Sequence, residues 1–437
     1  MRKFLPPVMV AILLVTGASS VEAKSGKGAG YDQLNLFTEA YNRIREDAVE
    51  PVGEAKLIGA AIAGMLSGLD VRSSYVSEAA LRTMRTQANE GQAGLGLVVT
   101  IENGQLKVIS PQDGSPAARA GIRPGDLIAA IDGLPAYELT LEEAEQKLLG
   151  PAGGEVELSW RRGNERPLSV KLTRGPYKLR TVASRVESGN IGYLRVAGFD
   201  VATPAELASA IHDLQQRPDG KLIGFILDLR NNPGGSFDAA VAVADTFIDK
   251  GDIVVVKGRT SASVRRISAT PGDAARGLPV VALINGGTAR EAELVAGCLQ
   301  DNRRAVLLGT RSYGESSIES LIPLPGNGAI RLTTARFMTP TGRRIQGKGL
   351  EPDLTVMPLK LEKLAQSDRR HEVDLRGALK NTDPVAAGAL SASTATEAAS
   401  KAPSVLTSDI GSIGDQQLSE AVDVLRGLAV ISDRAVQ

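Results

Sequence analysis

Between Thr181 and Pro358, short apolar runs alternate with stretches of helical periodicity, and this alternation constrains the fold more than any other feature. Strands that alternate with helices form a mainly parallel sheet, because each helix returns the chain to the starting edge of the sheet. We therefore predict an α/β core over residues 176–358, with a mixed, mainly parallel sheet and flanking helices. The apolar runs are Leu222 to Leu229, Val280 to Ile284 and Ala305 to Leu308, and the helical stretches lie near Thr203 to Gln216, Ser236 to Ile248 and Ala289 to Gln300.

The regions on either side of this core have different periods. Residues 91–175 contain short strand patterns separated by turn residues, which predicts a small β-rich domain. Residues 24–90 carry apolar side chains at helical spacing, as from Leu57 to Leu66, and predict an N-terminal helical module. Residues 359–414, which include an Ala/Ser/Thr-rich stretch, predict a flexible linker, and residues 415–437 predict an amphipathic C-terminal helix.

The first 23 residues have the pattern of an export signal. Arg2 and Lys3 precede an apolar stretch from Phe4 to Thr16, and Val21-Glu22-Ala23 offers small residues for cleavage. The alternative is a retained membrane anchor, but the apolar stretch is shorter than the roughly 20 residues needed to span a bilayer. We expect a periplasmic or secreted protein without a transmembrane segment after cleavage.

Composition excludes several classes of ligand. Lys plus Arg and Asp plus Glu each number 50, so no net positive field is available to attract nucleic acid. The chain has one cysteine, Cys298, and two histidines, His212 and His371, which argues against a thiolate metal site. We expect no nucleic-acid partner, no metal and no cofactor.

Four residues at the start of the β-rich region have the composition of a carboxylate-binding loop. In Gly94-Leu95-Gly96-Leu97, glycine allows successive backbone N–H groups to turn toward one point, and a neighbouring sheet edge would accept a peptide as an added strand. Together with the later block from Gly114 to Gly133, this region resembles a PDZ domain of the bacterial protease type. The resemblance implies that Gly94, Leu95, Gly96 and Leu97 bind the C-terminal carboxylate of a protein tail or peptide.

A glycine-rich turn follows the first of these apolar runs. Gly234 and Gly235 close the motif that starts at Asp228 and precede a helix whose positive end favours an anion, so they are candidates for an oxyanion-type loop. With three later motifs, the chain resembles the C-terminal processing peptidases, the tail-specific serine proteases of the S41 type. The later motifs are Asn285 to Ala289, Gly309 to Gly314 and Leu332 to Asp353.

The same resemblance extends to the helical module, where Ser73-Ser74-Tyr75 matches a family turn. Val71 and Arg72 depart from the Pro-His that usually precedes that turn. The family implies a serine-type endopeptidase with a Ser nucleophile and a Lys general base.

Both catalytic positions of the family are substituted in this chain. The residue matched to the serine is Arg290, the residue matched to the lysine is Glu315, and the supporting glutamine is matched by Glu319. Arginine cannot act as a nucleophile, because its guanidinium stays protonated and offers only hydrogen-bond donors. We expect Arg290 and Glu315 to form an ion pair, with an Arg290 side chain pointing to solvent as the alternative.

Three functions remain open from the sequence. The first is a catalytically inactive homologue that binds unstructured C-terminal tails through its PDZ domain or regulates an active peptidase relative. The second is an active endopeptidase with a relocated nucleophile, for which Thr288, Ser312, Ser316 and Ser317 are the available hydroxyls. The third is a structural oligomer, since helical modules in this family help to build dimers, and a homodimer is expected in that case.

Overall fold

The structure is a computed structural model that describes residues 27–82, 93–163, 165–176, 181–217, 221–357, 410 and 415–435. The predicted leader and most of the predicted linker lie outside the described residues. The chain divides into two compact units, Met1–Gly64 and Met65–Gln437. Over the described ranges, no helix has both the length and the apolar character that crossing a bilayer requires.

The helices and strands are numbered separately in chain order. The main helices are α1 (Lys27–Asp47), α2 (Glu54–Ser67), α3 (Pro116–Arg119), α4 (Leu141–Leu148), α5 (Thr203–Gln215), α6 (Phe237–Asp245), α7 (Glu291–Asp301) and α8 (Gln416–Ala435). The strands are β1 (Ser74–Val76), β2 (Ala93–Gly94), β3 (Leu97–Glu102), β4 (Gln105–Pro111), β5 (Leu127–Ile131), β6 (Leu134–Pro135), β7 (Leu149–Gly150), β8 (Glu155–Arg161), β9 (Leu168–Thr173), β10 (Gly175–Pro176), β11 (Val182–Glu187), β12 (Ile191–Val196), β13 (Gly224–Asp228), β14 (Asp252–Gly258), β15 (Val264–Ser268), β16 (Val280–Ile284), β17 (Ala305–Gly309), β18 (Ser317–Pro323), β19 (Ala329–Met338) and β20 (Leu354–Thr355).

The first unit contains α1 and most of α2. An ion pair between Arg45 and Glu54, with 2.8 Å between the charged atoms, joins the two helices. Helix α2 ends at Ser67, directly before Gly68, a residue that favours helix termination.

Part of the predicted helical module takes a different conformation. Strand β1 lies within residues 24–90, and it pairs antiparallel with β19, so that Tyr75 lies opposite Ile330. The Tyr75 hydroxyl also donates a hydrogen bond to the Asn327 carbonyl oxygen at 2.6 Å. Pairing with a distant strand, which a local pattern cannot reveal, decides the structure of this segment.

The predicted mainly parallel sheet forms the centre of the second unit. Its strand order is β11-β12-β13-β16-β17-β20, in which only the β11–β12 pair is antiparallel. Phe225 and Leu227 pack with α5, α6 and α7 on one face, while Ile226 packs against α8 on the other. Burial on both faces explains why β13 and β16 read as continuous apolar runs.

A second, antiparallel sheet carries part of the candidate site. Its order is β1-β19-β14-β15, and β18 also pairs with β19. Strand β19 pairs with β1 through Ala329 to Arg331 and with β14 through Ala335 to Met338.

The β-rich region forms its own sheet and core. The strand order is β3-β4-β5-β8-β9, with β6 paired to β5, and β3 therefore lies at an edge of this path. The core includes Leu95, Ile128 and Leu158, with Ala144 and Leu148 contributed by α4. A capping box of Thr140 and Glu143 starts α4, because the Thr140 hydroxyl accepts from the Glu143 N–H.

Candidate active site

Arg290 lies at a strained turn between β16 and α7. Its φ of 54° is uncommon for a residue other than glycine. The Arg290 N–H donates to Glu293 Oε2 at 3.1 Å, which holds the turn in place. The side chain matched to the family nucleophile is thereby fixed at the N-terminal end of a helix.

Glu315, matched to the family base, lies in the loop between β17 and β18. Arg290 Nε lies 3.8 Å from Glu315 Oε1, so the expected ion pair is present, although its two closest atoms form no hydrogen bond. Each residue has a nearer partner of opposite charge. Arg290 Nη2 lies 3.2 Å from Glu319 Oε2, and Arg72 Nη2 lies 2.8 Å from Glu315 Oε2.

The ion pairs continue into the β-rich domain. Glu145 on α4 lies 3.9 Å from Arg72 and 3.7 Å from Arg331 on β19, measured between charged atoms. We call the residues Arg72, Glu145, Arg290, Glu291, Glu315, Glu319 and Arg331 the ion-pair network. Burial alone would lower the pKa of Arg290, but the nearby carboxylates outweigh burial and raise that pKa, so Arg290 stays charged.

The N–H groups of the predicted oxyanion-type loop donate to side chains of the protein itself. The Gly235 N–H donates to Glu291 Oε2 at 2.9 Å, and the Gly234 N–H donates to Asn232 Oδ1 at 2.9 Å. Burial raises the pKa of Glu291, whereas the Arg290 charge and the Gly235 N–H lower it. The Gly235 N–H, one of the two candidate oxyanion donors predicted from the sequence, therefore already binds a carboxylate.

Glu293 accepts hydrogen bonds from the backbone at both Arg290 and Glu315, the two positions matched to the catalytic residues of the family. Glu293 Oε2 accepts hydrogen bonds from the N–H groups of Arg290 and Glu315, and Oε1 accepts from the Gly314 N–H and the Ser312 hydroxyl. Burial raises the pKa of Glu293 to about 7, and these four donors limit the rise by favouring the charged form.

The hydroxyl groups that remained as nucleophile candidates all contact other acceptors. Thr288 donates to the Leu229 carbonyl oxygen at 2.9 Å, and Ser312 donates to Glu293. Ser316 lies 3.5 Å from Gln346 Oε1, and Ser317 lies 2.6 Å from Glu319 Oε1. In the described part of the chain, no hydrogen bond joins any of these hydroxyls to Glu315.

The backbone of the predicted carboxylate-binding loop is directed by hydrogen bonds from α3 and the end of β4. The Leu95 carbonyl accepts from Ala117 at 3.0 Å, and the Gly96 carbonyl accepts from Gln112 at 2.8 Å. Because N–H and C=O point in opposite directions across a trans peptide, the N–H groups of Gly96 and Leu97 point away from these partners. The Leu95 N–H is engaged by the Leu148 carbonyl at 3.2 Å, and Gly96 is buried.

Sequence reasoning missed four members of the network. A sequence signal existed for Arg72, because the family resemblance matches its position to a histidine, and Arg72 contacts Glu315, the residue matched to the family lysine. Glu291 lies in the first turn of α7, where the helix dipole alone favours a carboxylate, so its position gave no signal of the contact with Gly235. Glu145 and Arg331 had no signal, because only the tertiary fold brings α4 and β19 together.

Comparison with known proteins agrees with this architecture. Residues 190–356 match peptidase family S41, and residues 107–162 match the PDZ domain. The carboxy-terminal-processing protease of Bartonella bacilliformis is 42% identical over 380 residues, which cover 86% of this chain and 87% of the relative. The carboxy-terminal processing protease CtpA of Bacillus subtilis is 29% identical over 343 residues, 78% of this chain and 73% of the relative.

A solved structure shares the fold. The photosystem II D1 C-terminal processing protease superposes with a TM-score of 0.65 at 28% identity, covering 75% of this chain and 88% of that protein. The mixed α/β core, the PDZ domain and the extent of the sequence match lead to one assignment: this chain belongs to the carboxy-terminal-processing proteases of peptidase family S41.

Proposed function

We propose that this chain is a non-catalytic member of its family. In that role it binds unstructured protein C-termini through its PDZ domain or regulates an active relative. The observation that carries the proposal is the ion-pair network. Arg290 stands at the position matched to the nucleophile, is held by Glu315 and Glu319, and has a raised pKa. A permanently charged guanidinium has no lone pair with which to attack a peptide carbonyl.

The surroundings of Arg290 support the same proposal. Glu291 occupies the Gly235 N–H, so this donor could stabilise a developing negative charge only after Glu291 had moved away. The competing function, an endopeptidase with a relocated nucleophile, requires a hydroxyl hydrogen-bonded to a base. Two of the four candidates donate to a carboxylate, Ser317 to Glu319 and Ser312 to Glu293. Glu319 is already paired with Arg290, and the Ser312 oxygen also accepts the Leu350 N–H at 2.6 Å, which holds it inside the loop.

Tail binding is supported by the PDZ match and by the backbone directions at Gly96 and Leu97. The N–H groups of Gly96 and Leu97 point away from the donors that bind the Leu95 and Gly96 carbonyls, and edge strand β3 supplies backbone groups beside them for an added peptide strand. Export, a homodimer and the domain boundaries drawn from sequence stay predictions.

Digestion of a disordered protein by the purified chain tests the absence of catalysis. The Bartonella relative, assayed in parallel, is the positive control for substrate and conditions. We expect the disordered protein to stay intact with this chain while the relative degrades it. The proposal would be overturned if this chain cleaves the protein and an Arg290→Ala variant cleaves it as well. The nucleophile would then be sought among the hydroxyls of Thr288, Ser312, Ser316 and Ser317.

Binding of a fluorescent peptide with a free C-terminus tests tail recognition. At Gly96, φ is 69° and an added Cβ would lie 2.2 Å from Ser115 Cβ, so Gly96→Ala should abolish binding. Gly104→Ala is the matched control, because Gly104 has φ of 73° but nothing within 4 Å of its Cβ position. Equal affinities for both variants, or equal affinities for the free and the amidated peptide, would contradict carboxylate recognition by this loop.

A further inference from the structure

A cavity of about 720 Å³ opens beside the candidate active site and has a basic lining. Five cations line it, and Asp70 is the only acidic residue among the described residues of its wall. The Asp70 carboxylate already accepts hydrogen bonds from Arg72, Ser73 and Thr333. We call this space the basic cavity, and its cations are Lys257, Arg259, Arg336, Arg344 and Lys348.

The five cations lack partners of opposite charge within the described residues. Ion pairs elsewhere in the same domain are common, as between Arg304 and Asp273 or Arg343 and Asp301, but none includes a cation of the basic cavity. Lys257 on β14 lies directly opposite Arg336 on β19 in the strand register. Like charges at such a position destabilise a sheet, so the arrangement favours the presence of an anion.

The position of the basic cavity connects it with the candidate active site. Strand β19 is paired with β1 up to Arg331 and with β14 from Ala335, and the cavity opens at Thr333 and Thr334 between these two pairings. Ser316, the residue after Glu315, lies on its wall. A peptide in the basic cavity would therefore run next to the ion-pair network.

We propose that the basic cavity binds an acidic segment of a captured protein tail. This proposal rests on the proposed function, in which the chain binds the C-terminal tails of other proteins, and it adds that the bound tail is acidic. The volume lies within the range of ligand sites, and three of the five cations are arginines, whose planar guanidinium matches a carboxylate. The whole chain has no net charge, so attraction of an acidic segment depends on this local cluster.

The test is fluorescence polarisation with the full chain and three short labelled peptides. One is acidic with a free C-terminus, one is the same peptide with an amidated C-terminus, and one is neutral with a free C-terminus. We expect the acidic free peptide to bind more tightly than the neutral one, and its advantage to shrink as salt rises. The variant is Arg336→Gln/Arg344→Gln, and the control is Lys171→Gln/Lys221→Gln, which removes the same charge from exposed sites outside the cavity.

The variant should weaken binding of the acidic free peptide by about tenfold, while the control variant and the neutral peptide keep their affinities. Equal affinity for acidic and neutral free peptides would overturn the acidic assignment and leave tail binding intact. If Gly96→Ala abolishes recognition of the C-terminal carboxylate but the amidated acidic peptide still binds through the cations, the result supports the basic cavity as an acidic-segment site that does not depend on the carboxylate-binding loop. Tighter competition by a single-stranded oligonucleotide of equal charge would overturn the peptide assignment in favour of a general polyanion site.

Discussion

At the scale of single residues, the substituted positions compensate one another. Glu315 stands at the position that the family resemblance matches to a lysine, and Arg72, 243 positions earlier in the chain, stands at the position matched to a histidine. Their side chains are 2.8 Å apart, with 11% of Arg72 and 6% of Glu315 exposed. Sequence matching identified each departure separately, but it paired Glu315 with Arg290, whose contact is looser at 3.8 Å.

Arg72→Ala should destabilise the chain by on the order of 3 kcal/mol, because it leaves the buried Glu315 carboxylate without its nearest cation. Urea unfolding followed by circular dichroism measures the change. The double variant Arg72→Ala/Glu315→Ala should recover much of the loss, since it removes the uncompensated charge as well.

The control for this prediction is Arg266→Ala, which removes an exposed ion pair with Asp252. An exposed pair contributes about 1 kcal/mol or less. The interpretation of Arg72 as a buried charge partner is wrong if both single variants lose equal stability.

Glu293 gives the stability of the chain a predictable dependence on pH. Its pKa in the folded state is about 7, above the ordinary value of 4.5, so the folded state binds the proton more tightly than the unfolded state. The free energy of unfolding should therefore fall as pH rises from about 4.5 to 7 through this group. The difference between wild type and Glu293→Gln isolates the contribution, because Glu291 and Glu145 also have raised pKa values and are present in both proteins.

We expect that difference, wild type minus variant, to decline across the window and to level off above about pH 8. Chemical unfolding at a series of pH values provides the measurement. A difference that is constant or that increases with pH would mean that Glu293 is ionised throughout the window.

At the scale of elements, the C-terminal helix α8 completes the parallel sheet. Its apolar side chains Leu418, Ala421, Val422 and Leu425 recur at helical spacing and pack on the face opposite α5, α6 and α7. Its first turn is fixed by Asp415, which accepts the Leu418 N–H at 3.1 Å. The amphipathic pattern of this helix was predicted from the sequence, but its attachment was not.

The attachment depends on Arg230, in the same turn as Gly234 and Gly235. Arg230 donates to both carboxylate oxygens of Asp415, at 2.9 and 2.6 Å, and to Asp228. The two guanidinium contacts from Arg230 and Arg195 hold the pKa of the buried Asp228 at about 2 against the opposing effect of burial. Asp228 is thus a structural partner of Arg230 and Arg195.

Asp415→Ala should destabilise the chain by on the order of 3 kcal/mol and expose α8 to proteolysis, because Arg230 loses a bidentate partner and the helix loses its N-terminal acceptor. Asp423→Ala on the exposed face of α8 is the matched control, with its side chain 66% exposed. Limited proteolysis and thermal unfolding of both variants provide the measurements. Equal proteolysis of the two would exclude Asp415 as the anchor.

At the scale of the whole molecule, the candidate site is an assembly of distant segments. Arg72 precedes β1, Glu145 comes from the PDZ domain, Arg290 and Glu291 lie at α7, and Glu315 follows β17. Further contacts join the PDZ domain to the core, including an ion pair of 2.9 Å between Asp113 and Arg195. The site therefore depends on the docking of the PDZ domain as well as on the peptidase fold.

Restoring the two family residues alone should not restore proteolysis. In the double variant Arg290→Ser/Glu315→Lys, the Glu291 carboxylate would still accept the Gly235 N–H, so we expect that variant to have no proteolytic activity. Adding Glu291→Ala removes this carboxylate, and Arg72 beside the new lysine would keep its amine neutral enough to act as a base. The triple variant should digest a disordered protein slowly.

Release of peptide fragments, followed by mass spectrometry, distinguishes the two variants. Circular dichroism confirms that both are folded before their rates are compared. If the double variant cleaves the protein at the same rate as the triple variant, Glu291 is not what prevents proteolysis.

Features that depend on neighbours along the chain could be predicted from the amino-acid sequence. Apolar periodicity predicted β13, β16, β17 and their helices, and the ordered motifs identified Arg290, Glu315 and the Gly94 to Leu97 loop as candidate site residues. Which charges meet follows from the tertiary structure: Arg72 pairs with Glu315, the Glu291 carboxylate accepts the Gly235 N–H, and the basic cavity forms beside the paired strands β14 and β19. Charged side chains lack the periodic signal that burial imposes on apolar ones, and their partners are set by the packing of segments that lie 56 to 243 residues apart in these contacts.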